Sequence, residues 1–285
     1  MLLSLPWIAI FLAAPASWAP ALQWLGLTLL ALGYSAALTM GQVDALAGIS
    51  IALLVLAAYA VSPHHPRAVR ASGHALFVTL AVALCLHWMP GFHNPHVIGP
   101  VRLTPDAVPF TMYLNLDKPL VAFWLLLVIP WIRRPHSWRT SLAAGLACLL
   151  VTTLACLGLA TLLHVVRWAP KLPANSVLWL LNNLVLVTLA EEALFRGYLQ
   201  GGLTRLLRRR PQGEWFALGA AAVLFGLAHA AGGWRWVLLA TVAGTGYGFA
   251  YRRGGLPAAM LAHVGLNAAQ FFLFTYPMLQ TAAGG

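Results

Sequence analysis

The sequence predicts an all-α polytopic membrane bundle of about nine or ten spans, and three observations carry that prediction. Hydrophobic residues make up 61% of the 285 and charged residues only 8%, against about 25% charged in a soluble domain. Apolar runs approaching the ~20 residues needed to cross a bilayer recur along the whole chain. The basic residues fall in the short connections between those runs. With a mean hydropathy of +0.80, such a chain cannot cover a water-exposed surface, which excludes soluble classes. The net charge of +11 reads as topology-setting charge against anionic lipid, with no nucleic-acid partner.

Taken in order, the candidate spans are 3–16, 21–39, 44–62, 71–89, 118–132, 140–166, 176–200, 214–232, 235–251 and 256–277. The first, in MLLSLPWIAIFLAAP, lacks the basic n-region of a cleavable signal and reads as a membrane segment. It and the fifth are short. Residues 1–139 are expected to form an N-terminal set of membrane helices and 140–285 a functional core, with the site among the last four helices. Between spans four and five, residues 90–118 hold five prolines, which exclude a regular helix interior. This outer loop is expected to cap the bundle or gate substrate entry. His93 and His96 within it are a weak metal signal. Cys85, Cys148 and Cys156 lie in apolar runs without metal spacing and read as packing residues.

One set of alternate loops holds Arg67, Arg70, Arg133, Arg134, Arg139, Arg205, Arg208, Arg209, Arg210, Arg252 and Arg253. The opposite set holds Arg102, Lys118, Arg167, Lys171 and Arg235. The positive-inside rule makes the first face cytoplasmic. The preference for Arg over Lys hints at a GC-rich bacterial genome, hence a bacterial inner membrane.

Against this background the stretch LVTLAEEALFRGYLQ, residues 186–200, is anomalous: it places two of the six acidic residues side by side in an apolar helix. An acid at the centre of a membrane helix costs about 2.5–3.5 kcal/mol on insertion scales, so a compensating partner is expected. Glu192 and Arg196 are four apart and within ion-pairing reach on one helical face. Glu191 is rotated about 100° away and is expected to project elsewhere, free for chemistry. Candidate partners are His229, one turn beyond Phe225 in LFGLAHAAGG, and His263 with Asn267, stacked four apart in PAAMLAHVGLNAAQFF. Gly197, Gly201, Gly202, Gly226, Gly244 and Gly246 would allow close helix approach, and GGLTRLLRRRP reads as an interfacial helix end. Helix-rise counting puts His263 shallower and His229 deeper than Glu191. Kinks, with Gly226 and Gly265 as candidates, or unequal helix starts would be needed to align them.

Glu191-Glu192-x-x-x-Arg196, Phe225-x-x-x-His229 and His263-x-x-x-Asn267, in this order on successive membrane helices, resemble the CAAX-processing and bacteriocin-processing (CPBP) endopeptidase family. The resemblance covers about 176–277. It implies a glutamate-type intramembrane protease (a peptide hydrolase) acting on a membrane-associated protein or peptide within the lipid bilayer. Glu191 would be the general base, holding a water jointly with His229. His263 and Asn267 would donate to the oxyanion, Glu192 and Arg196 would orient Glu191, and Phe225 would pack beneath His229. No cofactor is expected. Zinc or another divalent metal on Glu191, His229 and His263 is the chemical alternative, without the H-E-x-x-H string usual for zinc proteases. Two other functions compete: a proton- or cation-coupled transporter using the Glu pair, and a non-catalytic family-like scaffold or immunity protein. A cation path has no need of the His and Asn donors. The sequence names neither the substrate nor the oligomeric state.

Overall fold

The computed structural model describes residues 5–133 and 136–282; Arg134, counted above in the basic face, lies outside them. Nine helices form among these residues: α1 (Leu5–Trp18), α2 (Gln23–Thr39), α3 (Ala47–Ala60), α4 (Arg67–Cys85), α5 (Pro119–Val128), α6 (Trp138–Leu162), α7 (Ser176–Leu206), α8 (Gly213–Leu227) and α9 (Trp234–Leu273). The chain is an all-α helix bundle with very little sheet, as its composition predicts. Five helices, α2, α4, α6, α7 and α9, are long and apolar enough to cross a membrane, with the α2 segment counted from Pro20; α1, α3, α5 and α8 are apolar but shorter.

Two compact units divide the chain: Met1–Pro95, Leu114–Pro130 and Val185–Ala190 in one, and His96–Tyr113, Trp131–Leu184 and Glu191–Gly285 in the other. In the first, α1 and α2 pack as a close hairpin. A Cβ at Gly26 would lie 2.5 Å from Ser17 Oγ, and one at Gly33 would lie 2.8 Å from Ile10 Cγ1. These glycines are seven apart, two helical turns on one face, so the backbones can approach where any larger residue would hold them off. The ten-residue α5 is this unit's core. Its Phe123, Trp124, Leu125 and Leu126 are all buried, Trp124 stacks on Phe77 at 3.9 Å, and its indole N–H donates to the Leu54 carbonyl at 2.8 Å. Asp117, just before α5, is buried but fully engaged, bonding His87 Nδ1 at 2.6 Å and Asn94 Nδ2 at 3.2 Å.

In the second unit, α6 and α8 both pack on α9. The proline-rich segment contributes an antiparallel ribbon, β1 (His96–Val101) and β2 (Phe110–Tyr113), with His96 opposite Tyr113 and Val101 opposite Phe110. Proline content signalled the lack of helix but not this pairing. The ribbon is tied to the C-terminal segment: Arg102 Nη1 donates to Gln280 Oε1 at 2.7 Å, and Val108 N donates to the Met278 carbonyl at 3.0 Å.

The two spans expected at 235–251 and 256–277 are two helices that meet at Gly255 (φ 70°, ψ −166°), two residues before Pro257, and are labelled together as α9. That left-handed backbone suits only glycine comfortably, and the proline withdraws a donor from the next turn. The bend therefore lies here rather than at Gly226 or Gly265. Those two are contact points: a Cβ at Gly226 would lie 1.9 Å from Thr241 Oγ1, and one at Gly265 2.5 Å from Leu149 Cδ1.

Candidate active site

The motif helix α7 is not uniformly α-helical. Asn182–Thr188 and Ala193–Gln200 are wound as π-helix around a single α-turn, Leu189–Glu192. Such wide winding is rare, and it recurs at functional sites because it re-aims side chains relative to the α ladder.

Glu192 is fully buried and bonds two partners. Its Oε2 meets Arg196 Nε at 3.2 Å, as the four-residue spacing requires. Its Oε1 accepts from His263 Nδ1 at 2.8 Å, a contact between helices that the spacing did not announce. Arg196 is also fully buried. Its two terminal nitrogens find no hydrogen-bond partner, and the guanidinium lies over the rings of Phe225 (5.1 Å) and Tyr247 (5.9 Å). Ring faces carry negative quadrupole density, so they partly offset a charge that hydrogen bonds do not reach.

Glu191 was expected to project away from its neighbour. Instead both carboxylates flank one imidazole: Glu191 Oε2 lies 3.9 Å from His263 Nε2, while Glu192 holds Nδ1. Adjacent side chains can do this because they approach opposite nitrogens of the same ring. A carboxylate only accepts, so His263 carries a proton on Nδ1, and Nε2 is the nitrogen left for exchange. The ring is fixed on its other faces as well. Tyr247 stacks on it at 4.5 Å with a 12° interplanar angle, and Phe225 meets it edge-on at 5.8 Å.

His229 was expected inside a span running to residue 232, but α8 ends at Leu227. His229 begins the turn that follows, ahead of Gly233 at φ 86°. Its Nδ1 lies 2.8 Å from the Phe225 carbonyl. A carbonyl only accepts, so Nδ1 is again the protonated nitrogen and Nε2 of the neutral ring is an acceptor. Phe225 packs against the His229 ring at 4.7 Å. Asn267 Nδ2 donates to Asn183 Oδ1 at 3.2 Å, which orients the amide and leaves its second N–H uncommitted by that bond.

His229, His263 and Asn267 line a single cavity of about 80 Å³, whose walls include Phe225, Tyr247 and Gln270. A water needs roughly 10–15 Å³ on this measure, so the space admits several. Three of the four predicted catalytic side chains therefore face one small chamber, and the fourth, Glu191, borders the His263 imidazole. Tyr247 and Asn183 were missed. The Asn182-Asn183 pair in an apolar span was itself a signal, since membrane amides demand partners. Tyr247 gave none, because it reaches His263 only through the fold of α9 about Gly255.

Among the described residues, no group of three or more His, Cys, Asp and Glu side chains is arranged to hold a metal ion.

No curated protein and no solved structure matches the chain. Residues 173–269 do match a family, described as Type II CAAX prenyl endopeptidase Rce1-like. The glutamate pair, Arg196, Phe225, His229, His263 and Asn267 thus fall together inside one Rce1-like segment, consistent with the CPBP family.

Proposed function

We propose that this protein is a multi-pass intramembrane endopeptidase that hydrolyses a peptide bond with water activated by Glu191 and His229. The observation that carries the proposal is the imidazole of His263, held at Nδ1 by Glu192 at 2.8 Å and facing Glu191 across 3.9 Å at Nε2, on the wall of the chamber that His229 and Asn267 share. The proposed water enters from that chamber and bridges to Glu191, which borders it beside His263, donating to the His229 Nε2 lone pair and to the Glu191 carboxylate. Glu191 takes its proton as the oxygen attacks the carbonyl carbon, and returns it to the departing amine. The products are a new carboxyl terminus and a new amino terminus.

The oxyanion is met by the second N–H of Asn267 and by His263. The donor role of His263 requires a proton on Nε2 as well as on Nδ1. Each well-placed donor is worth about 2.7–4 kcal/mol in the transition state. Arg196 Nε holds Glu192 at 3.2 Å, and Glu192 in turn keeps His263 oriented. The reaction as drawn needs no metal. The substrate is a peptide bond near the end of a membrane-associated polypeptide, and the compartment is a bacterial inner membrane.

The test is proteolysis in liposomes. Purified protein is incubated with membrane-anchored peptides, and wild type is compared with Glu191→Ala. Cleavage should vanish in the variant; cleavage at an undiminished rate would remove Glu191 from the role of base. Comparing C-terminal peptides between a deletion strain and its parent then identifies the substrate.

A further inference from the structure

A second cavity, of about 380 Å³, opens on the face that the arginine count assigns to the cytoplasm. Arg205, Arg252 and Arg253 line it with Glu214, Tyr251 and Gln200, and none of the motif residues contributes. The charge is unbalanced. Three arginines line it against one glutamate, Glu214, which is bonded to Arg252 Nε at 2.9 Å, so the lining is net positive. Arg205 is held over the Trp131 ring at 5.0 Å. Gln200, nine residues beyond Glu191 on α7, is 3% exposed. Its Nε2 donates to the Gly248 carbonyl at 3.0 Å, which fixes the amide, and its buried Oε1 has no hydrogen-bond partner. The cavity therefore combines cationic groups with an unused acceptor.

Arg253 also lines a neighbouring groove of about 750 Å³ along α6 and α9, otherwise walled largely by small and apolar groups such as Ala143, Ala147, Val151 and Phe249. A polar chamber and an apolar trough that share one arginine have the form of a site for an amphiphile. We propose that they bind one anionic phospholipid, its phosphate between Arg205 and Arg253, a headgroup hydroxyl donating to Gln200, and an acyl chain along the groove. Guanidinium matches phosphate bidentately, and basic pockets between membrane helices on this face take lipid headgroups. Phosphatidylglycerol satisfies every element. A choline headgroup offers Gln200 no donor, and a zwitterion leaves the arginine excess unmatched.

The test is native mass spectrometry of the full-length protein in detergent, titrated with phosphatidylglycerol, with phosphatidylcholine of the same acyl chains, and with soluble glycerol phosphate. Phosphatidylglycerol should bind at least about tenfold more tightly than phosphatidylcholine. Arg205→Ala with Arg253→Ala should lower its affinity by about tenfold or more. Removing the same charge from the adjacent exposed loop, Arg208→Ala with Arg209→Ala, should cost less than about twofold. Ala147→Phe should weaken lipid binding by obstructing the groove, and Arg253→Gln supplies a milder variant should the double substitution not fold. Equal affinity for the two lipids, equal loss in the loop control, or glycerol phosphate binding as tightly as the lipid would each overturn the proposal.

Discussion

Glu191 and Glu192 are neighbours with opposite predicted sensitivities, and replacing each separately tests the site most directly. Glu192→Ala removes the acceptor for His263 Nδ1 at 2.8 Å and the counter-charge of Arg196. The pair with Arg196 lies within one helix and persists when α7 is separated from its neighbours, so much of it cancels between folded and unfolded states. The bond to His263 joins α7 to α9 and exists only in the folded protein. A hydrogen bond to a charged group contributes about 1.5–3 kcal/mol. Arg196, fully buried and left without its carboxylate, adds a penalty within the 3–5 kcal/mol range of broken buried pairs. Allowing for the cancellation, the loss should be about 3 kcal/mol, or roughly 6–12 °C in apparent Tm. Glu191, with a side chain 15% exposed and 3.9 Å from its imidazole, should behave otherwise. Glu191→Gln should leave Tm within about 2 °C while lowering kcat at least ~10²-fold. Thermal unfolding in detergent, followed by tryptophan fluorescence, and peptide cleavage in liposomes read the two quantities separately. Equal Tm for both variants would refute the division of labour, as would a cleaving Glu191→Gln.

Three further outcomes are expected. Gly246→Ala should destabilise the α6–α9 packing by about 1–3 kcal/mol, because its Cβ would fall 1.9 Å from Thr152 Oγ1; Thr152→Ala should restore part of the loss in the same unfolding assay. Lys171 lies in the loop before α7, and burial lowers its amine to about 8, with Asp106 opposing. The folded form thus binds fewer protons than the unfolded chain between about pH 8 and the ordinary lysine range near 10.4, so stability from this group rises with pH across that window. Reductive methylation followed by mass spectrometry should place its labelling midpoint near pH 8. Finally, cleavage should survive chelation, since no three-donor group among the described residues is arranged for a metal; activity lost to a chelator and restored by zinc would reverse that expectation.

The bundle was legible because apolar run length and the scarcity of charge are one-dimensional properties. So was the Glu192–Arg196 pair, which depends only on helical spacing. What the sequence could not supply was the meeting of helices. Glu192 reaches His263 because α7 and α9 come together at a depth that straight-helix counting misplaced. His229 was placed inside a span because the apolar run continues past Leu227, where α8 ends. The break at Gly255 was legible too, since RRGGLP reads as a connection between the spans 235–251 and 256–277. The ribbon at 96–113 escaped notice because proline signals what a segment cannot be more plainly than what it becomes.

The π-wound turns of α7 have a consequence for length. Each holds more backbone per revolution than the α ladder would, so residues 193–200 behave as if an extra position had been spliced in and absorbed as a swelling. Excising one residue there would let the coil relax to the α ladder, keeping the helix beyond Gly201 in register while re-aiming the side chains inside the swelling. Arg196 would turn off its aromatic seat, and Gln200 would leave the Gly248 carbonyl, with no chemical group of the catalytic set altered. The proposed cleavage would be silenced by arithmetic alone, a vulnerability that substitution scanning would never expose.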